Sequence, residues 1–170
     1  MKKLTEAELS PTQTRVYEAI VSGPRGGVRG PLAVWLHRPE LANKAQQLGQ
    51  YCRYESSLPP RLRELAILTT AKLWNAHYEW DIHISFAEKY GLSPEVIEAL
   101  SQENRPKFLN KSEEVVYNFT QELYATRSIS DETFAATILY LGQDQTLDLV
   151  GLLGYYSLIS MTVKAFSVSE

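Results

Sequence analysis

Cysteine is nearly missing from the 170 residues: Cys52 stands alone. That excludes an intrachain disulfide and any Cys-x-x-Cys pair, and it suits a reducing compartment. Basic excess is missing too. The net charge is −3, so no cationic field exists to hold a nucleic-acid backbone. No unbroken apolar run reaches the roughly 20 residues of a membrane span. The nearest approach, Leu149 to Val163, is interrupted by Gly151, Gly154, Ser157, Ser160 and Thr162, and it reads as a buried helix. The N-terminal MKKLTEAELS has no apolar run behind its lysines and is not a secretory signal. The expectation is a cytoplasmic protein with neither membrane nor nucleic acid as partner.

Period-two alternation and hairpin dipeptides are also wanting, so no strands are expected. There is no His-Glu-x-x-His, and His77 and His83 are six residues apart, on different sides of a helix. No metal is expected. The glycine-rich stretch at 23–30 lacks a following Gly-Lys-Ser/Thr and follows no strand, so it is a loop near a pocket mouth rather than a phosphate cradle. His37, in VWLHRPE, reads as a loop or helix-end residue.

What is present is helix. Hydrophobic residues at 44% and charged residues at 22% suit a soluble globular chain, read here as one domain over 1–170. The periodicity predicts an all-α protein of about eight helices. Thr12–Val21 comes first, then a Gly/Pro loop at 22–31. Pro39–Tyr54 follows, with Leu41, Ala45, Leu48 and Cys52 as its apolar stripe. Pro60 opens Arg61–Trp74, which is apolar nearly all round and so central. Asn75 is expected to cap a helix from His77 to Tyr90, stopped by Gly91. Shorter helices follow at 93–100 and 111–125. Gly142 separates a helix over 130–141 from a last one over 145–166.

The chemistry concentrates in residues 61–100. Glu79, Ile82, His83, Phe86 and Tyr90 fall at i, i+3, i+4, i+7 and i+11, on one helix face that Phe86 and Tyr90 mark as buried. An acid and an imidazole one turn apart therefore point into apolar surroundings, where burial and mutual charge shift pKa values. Glu64, amid LRELAIL on the preceding helix, needs a partner to offset desolvation, and His83 fits. The plainer account is a surface Glu–His pair worth a few tenths of a kcal/mol and a glutamate bound to a backbone donor. Trp35, Trp74 and Trp80 are either pocket lining or core. Arg53, Arg61, Arg25 and Arg29 are candidate seats for an anionic substrate, and the sequence does not choose among them.

Residues 61–100 resemble the core motif of the carboxymuconolactone decarboxylase and alkylhydroperoxidase D superfamily. The peroxidase branch has a glutamate, eleven residues, then Cys-x-x-Cys-x-x-x-His; here Glu64 and His83 hold the outer positions, and Ala76 and Glu79 replace the cysteines. Tyr78-Glu79-Trp80 before His83 is similar to the decarboxylase-like branch. RGPLAVWLHRPELA, ESSLPPRLRELAIL and GYYSLISMTVKAF extend the likeness over nearly the whole chain, with Lys164 where members often have Asn.

The resemblance implies a helical bundle in a homotrimer or homohexamer and a site between the helices bearing Glu64 and His83. It implies a cofactor-free decarboxylase or related proton-transfer enzyme for a small lactone or carboxylic acid such as 4-carboxymuconolactone. His83 would be general acid or oxyanion donor, Glu79 and Glu64 would orient it or shuttle its proton, and Tyr78, Trp74 and Arg53 would bind the substrate. Thiol peroxidase chemistry needs an attacking and a resolving cysteine. Neither is in the motif, and Cys52 reads as a small buried hydrophobe. The alternatives are a non-catalytic or stress-related oligomer of the same fold, or a residual hydroperoxide reductase using Cys52.

Overall fold

A computed structural model describes residue 2 and residues 4–168. Among these residues every regular element is helical, as expected. After a short 3₁₀ turn at Glu6–Glu8 come α1 (Pro11–Val21), α2 (Pro31–Trp35), α3 (Pro39–Gln50), α4 (Pro60–Leu73), α5 (His77–Lys89), α6 (Pro94–Ser101), α7 (Lys111–Thr126) and α8 (Asp131–Ala165). Proline opens α1, α2, α3, α4 and α6, where its missing N–H costs nothing and its fixed φ suits the first turn. Side-chain oxygens of Ser10, Ser93, Asn110 and Ser130 cap α1, α6, α7 and α8.

The sequence suggests no element at 31–35, where α2 forms. The expected separation of two C-terminal helices at Gly142 holds, and α8 is two helical stretches that meet there. Gly142 breaks the helical path with φ 76° and ψ 177°.

The bundle is organised around α4. All ten residues from Leu62 to Ala71 are buried, and the helix packs against α5, α7 and α8. The apolar stripe predicted for α3 is displaced. Leu41 and Leu48 are exposed, while Ala42, Ala45, Gln46 and Gly49 face inward, because α3 packs closely through small residues. A π-helical turn, Tyr51–Glu55, extends α3 and buries Cys52. Asn75 does not cap α5. It takes φ 50° as the left-handed residue ending α4, and Ala76 occupies the N-cap. Gly91, with φ 80°, stops α5 as predicted. Tyr90 lies past the last turn and is exposed, so the buried face of α5 ends before it.

By length and composition α8 would pass for a membrane span, but 56% of its apolar window is buried against the bundle, as in a core helix. Its inner face carries Leu149, Leu152, Tyr155, Tyr156 and Ile159, and its outer face leaves Leu147 and Val150 exposed.

Candidate active site

His83 is 1% exposed, yet its ring borders a cavity of about 340 Å³. Two helices aim the central pair. α4 presents Glu64 from behind, and Nδ1 of His83 lies 2.5 Å from Glu64 Oε2. The carboxylate accepts the Nδ1 proton, which leaves Nε2 as the nitrogen turned towards the cavity. Tyr156, from α8, sets its hydroxyl 3.1 Å from Nε2 and its ring edge-on to the imidazole. Glu79 Oε2, one turn before His83 on α5, lies 3.6 Å from the same nitrogen, within charge contact but beyond a hydrogen bond.

Burial sets the protonation states. It holds His83 below the usual histidine range, against the pull of Glu64, and Arg53 and Arg25 add to the depression. Burial also pushes the Glu79 carboxyl up to about 7, moderated by the Arg53 and Arg25 charges. Tyr156 is pushed well above the ordinary phenol range by burial and stays a hydroxyl. At neutral pH the imidazole is therefore neutral, while Glu79 is divided between acid and carboxylate.

Three arginines also line the cavity. Arg25 and Arg29 come from the loop before α2, and Arg53 comes from the π turn. A π turn re-aims side chains relative to an α-helix. It puts Arg53 into the cavity, over the rings of Phe86 and Tyr54 at 5.3 Å each. Arg25 donates from Nη2 to the Tyr155 hydroxyl at 3.0 Å. Two glycines make these approaches possible. A Cβ on Gly30, whose φ is 53°, would lie 2.4 Å from Tyr78 Oη. A Cβ on Gly49 would lie 2.1 Å from Tyr155 Oη and 2.2 Å from Arg25 Nη2.

Of the residues expected at the site, His83, Glu64 and Glu79 converge, and Tyr78, Arg53, Arg25 and Arg29 border the cavity. Trp74 does not. It closes α4 away from the cavity, packed against the core, because Asn75 turns the chain before α5 begins. Arg61 is drawn off by Glu113, 3.0 Å from its Nε. Trp80 lies under Lys72, and Trp35 donates to Thr162 in the core. Cys52 is buried outside the cavity lining, and burial pushes its thiol up to about 11. Tyr156 and Tyr155 were not singled out from sequence. The available signal was a pair of phenols in an aliphatic helix, GLLGYYSLIS, since buried hydroxyls require partners. Among the described residues, no group of three His, Cys, Asp or Glu side chains is arranged to hold a metal ion.

The carboxymuconolactone decarboxylase family model matches residues 39–106, a span that contains Glu64, Glu79 and His83. No curated protein matches the sequence. Two solved structures are similar in fold. An uncharacterized peroxidase-related protein from Silicibacter sp. TM1040 has 14% identity and a TM-score of 0.76, over 95% of this chain and 87% of that one. The debrominase Bmp8, in its apo form, has 12% identity and a TM-score of 0.77, over 98% of this chain and 89% of that one.

Proposed function

We propose, from the match of the carboxymuconolactone decarboxylase family model to residues 39–106, that the chain is a member of that family and a carboxy-lyase for a small lactone or carboxylic acid. One observation carries the reading. A buried Glu64–His83–Tyr156 chain, with Glu79 3.6 Å from the imidazole, opens on a cavity also lined by Arg25, Arg29 and Arg53.

Loss of carbon dioxide passes the electron pair of the breaking C–C bond into a conjugated carbonyl. The resulting enolate needs a positive or hydrogen-bonding neighbour and then a proton. Arg53, in the cavity lining, supplies positive charge where that negative charge develops. Glu79, still protonated near pH 7, gives the proton to carbon, and solvent at the cavity mouth restores it. With Nδ1–H committed to Glu64, neutral His83 accepts the Tyr156 hydroxyl at Nε2 and, with Glu79 3.6 Å away, takes up positive charge when a proton must be held. The division of labour thus shifts from the sequence expectation: Glu79 becomes the acid and His83 its buffer.

Resident cofactor and metal have no part in this reading. A small anionic substrate, a homotrimeric or homohexameric assembly and a cytoplasmic setting belong to it, and light scattering checks the assembly. Thiol peroxidase action has the weaker support. The cavity holds no cysteine, and Cys52 is a thiol at neutral pH. The test is a panel of lactone acids, followed by loss of the conjugated ultraviolet band and release of carbon dioxide. Turnover by the wild type that His83→Ala abolishes supports the reading, and equal rates in the two proteins overturn it.

A further inference from the structure

Three guanidinium groups border the cavity, and their situations differ. Arg29 is exposed, and solvent screens it. Arg53 is sandwiched by Phe86 and Tyr54, and its charge faces the acids and phenols of the site: Tyr156, Tyr54, Glu64 and Glu79. Arg25 makes one hydrogen bond, from Nη2 to the Tyr155 hydroxyl, and its charge also reaches Glu79 and His83. Its Nε is buried with no hydrogen-bond partner, and the ion pairs made by arginines among the described residues involve Arg61, Arg63 and Arg105 instead. A buried charged donor left unpaired is costly, so such a group marks a place where a ligand completes the site.

The surroundings of Arg25 are built for this. Gly49 supplies the room in which Arg25 and Tyr155 meet, since any side chain there would collide with both. Tyr155 holds the guanidinium through Nη2 and leaves Nε without a partner. We propose that Arg25 is the anion anchor of the cavity, with Tyr155 and Gly49 as its positioning residues. This rests on the reading of the cavity as a substrate site and names which side chain seats the substrate's charge.

The anchor holds an anionic group that the reaction leaves in place. Pairing the departing carboxylate with Arg25 would stabilise the ground state more than the transition state, in which that charge moves away, and would slow the reaction. An anchor on a retained group binds both states alike. Its loss therefore raises KM and leaves kcat nearly unchanged.

The experiment compares benzoate with its neutral counterpart benzamide by titration calorimetry at pH 7.5. The wild type is expected to prefer benzoate by about tenfold or more. Arg25→Gln is expected to remove that preference while benzamide binding stays level, and Arg25→Lys to keep part of it. Tyr155→Phe is expected to weaken benzoate by roughly threefold through lost positioning. Arg61→Gln, paired with Glu113 elsewhere, is expected to bind as the wild type does. Thermal melts accompany each variant, and anion-over-neutral discrimination is a readout that general destabilisation does not mimic. A wild type with no preference, or Arg25→Gln with the preference intact, overturns the anchor. An intact Arg25-dependent preference in a protein that turns over no lactone acid would overturn the proposed function and leave the anchor standing.

Discussion

The turn Tyr51–Glu55 and α5 border the same cavity, and each buries a reactive side chain to 1% exposure, Cys52 on the turn and His83 on α5. Their chemical fates are opposite. Around Cys52, burial dominates, the Asp148 charge adds to it, and the thiol is driven up to about 11. Around His83, Glu64 takes the Nδ1 proton while Tyr156 and Glu79 attend Nε2. Burial alone silences a nucleophile, whereas burial among directed partners tunes a base. The same turn that hides its thiol delivers Arg53 to the cavity, so its contribution is charge rather than sulfur.

The sharpest way to break this comparison is His83→Ala. It should slow lactone-acid turnover by about 10³–10⁴-fold, followed as loss of ultraviolet absorbance. A near wild-type rate would reduce α5 to a scaffold like its neighbour.

Glu79→Gln should cost about 10²-fold in rate. In the wild type, turnover should fall as pH rises through about 7, where Glu79 loses its proton, and the Gln variant should lack that limb. Stability should fall with rising pH as well. A carboxyl raised from 4.5 to about 7 in the folded state contributes fully below pH 4.5, and the contribution is lost as pH rises through 7. The Gln variant does not titrate. Chemical denaturation at pH 8 should therefore find it more stable than the wild type by up to about 3 kcal/mol, with no such gain at pH 4.

Gly30→Ala tests the cavity wall. It combines φ 53° with the Tyr78 collision and should cost about 1–3 kcal/mol in a melt. Gly26→Ala, with φ 66° but open space, should cost only about 1 kcal/mol. Tyr156→Phe removes one hydroxyl from Nε2 and should slow turnover by roughly tenfold at most. Cys52→Ala should change turnover by less than about twofold, the smallest effect of the series. A large one would restore the thiol as a participant.

Much of this was legible in the residues, for physical reasons that differ by element. Glu64 and His83 were readable because an acid between leucines must find a partner, and spacing of three and four fixes a helix face. Tyr90 was misassigned because periodicity extends a face past the point where Gly91 stops the helix. Leu41 and Leu48 misled because hydrophobicity does not report closeness of approach, and α3 approaches through Ala42, Ala45 and Gly49. Trp74 was placed by kind rather than direction, and the left-handed Asn75 turns the chain away there. Tyr156 lies 73 residues from His83, and no local pattern announces that meeting. Choosing among the arginines required knowing who else was near: Arg61 had Glu113, whereas Arg25 Nε had nothing.

Tyr155 and Tyr156 are neighbours in the chain, yet one steadies a loop arginine and the other meets the imidazole. Both contacts are thus keyed to a single rotation of one rod, and a one-residue insertion just upstream would swing both phenols by about 100°. Gly142 breaks the helical path between that rod and the stretch before it. Thr137 and Leu141 are buried in that outer stretch, so it is seated by its own packing and not by continuity with the rod.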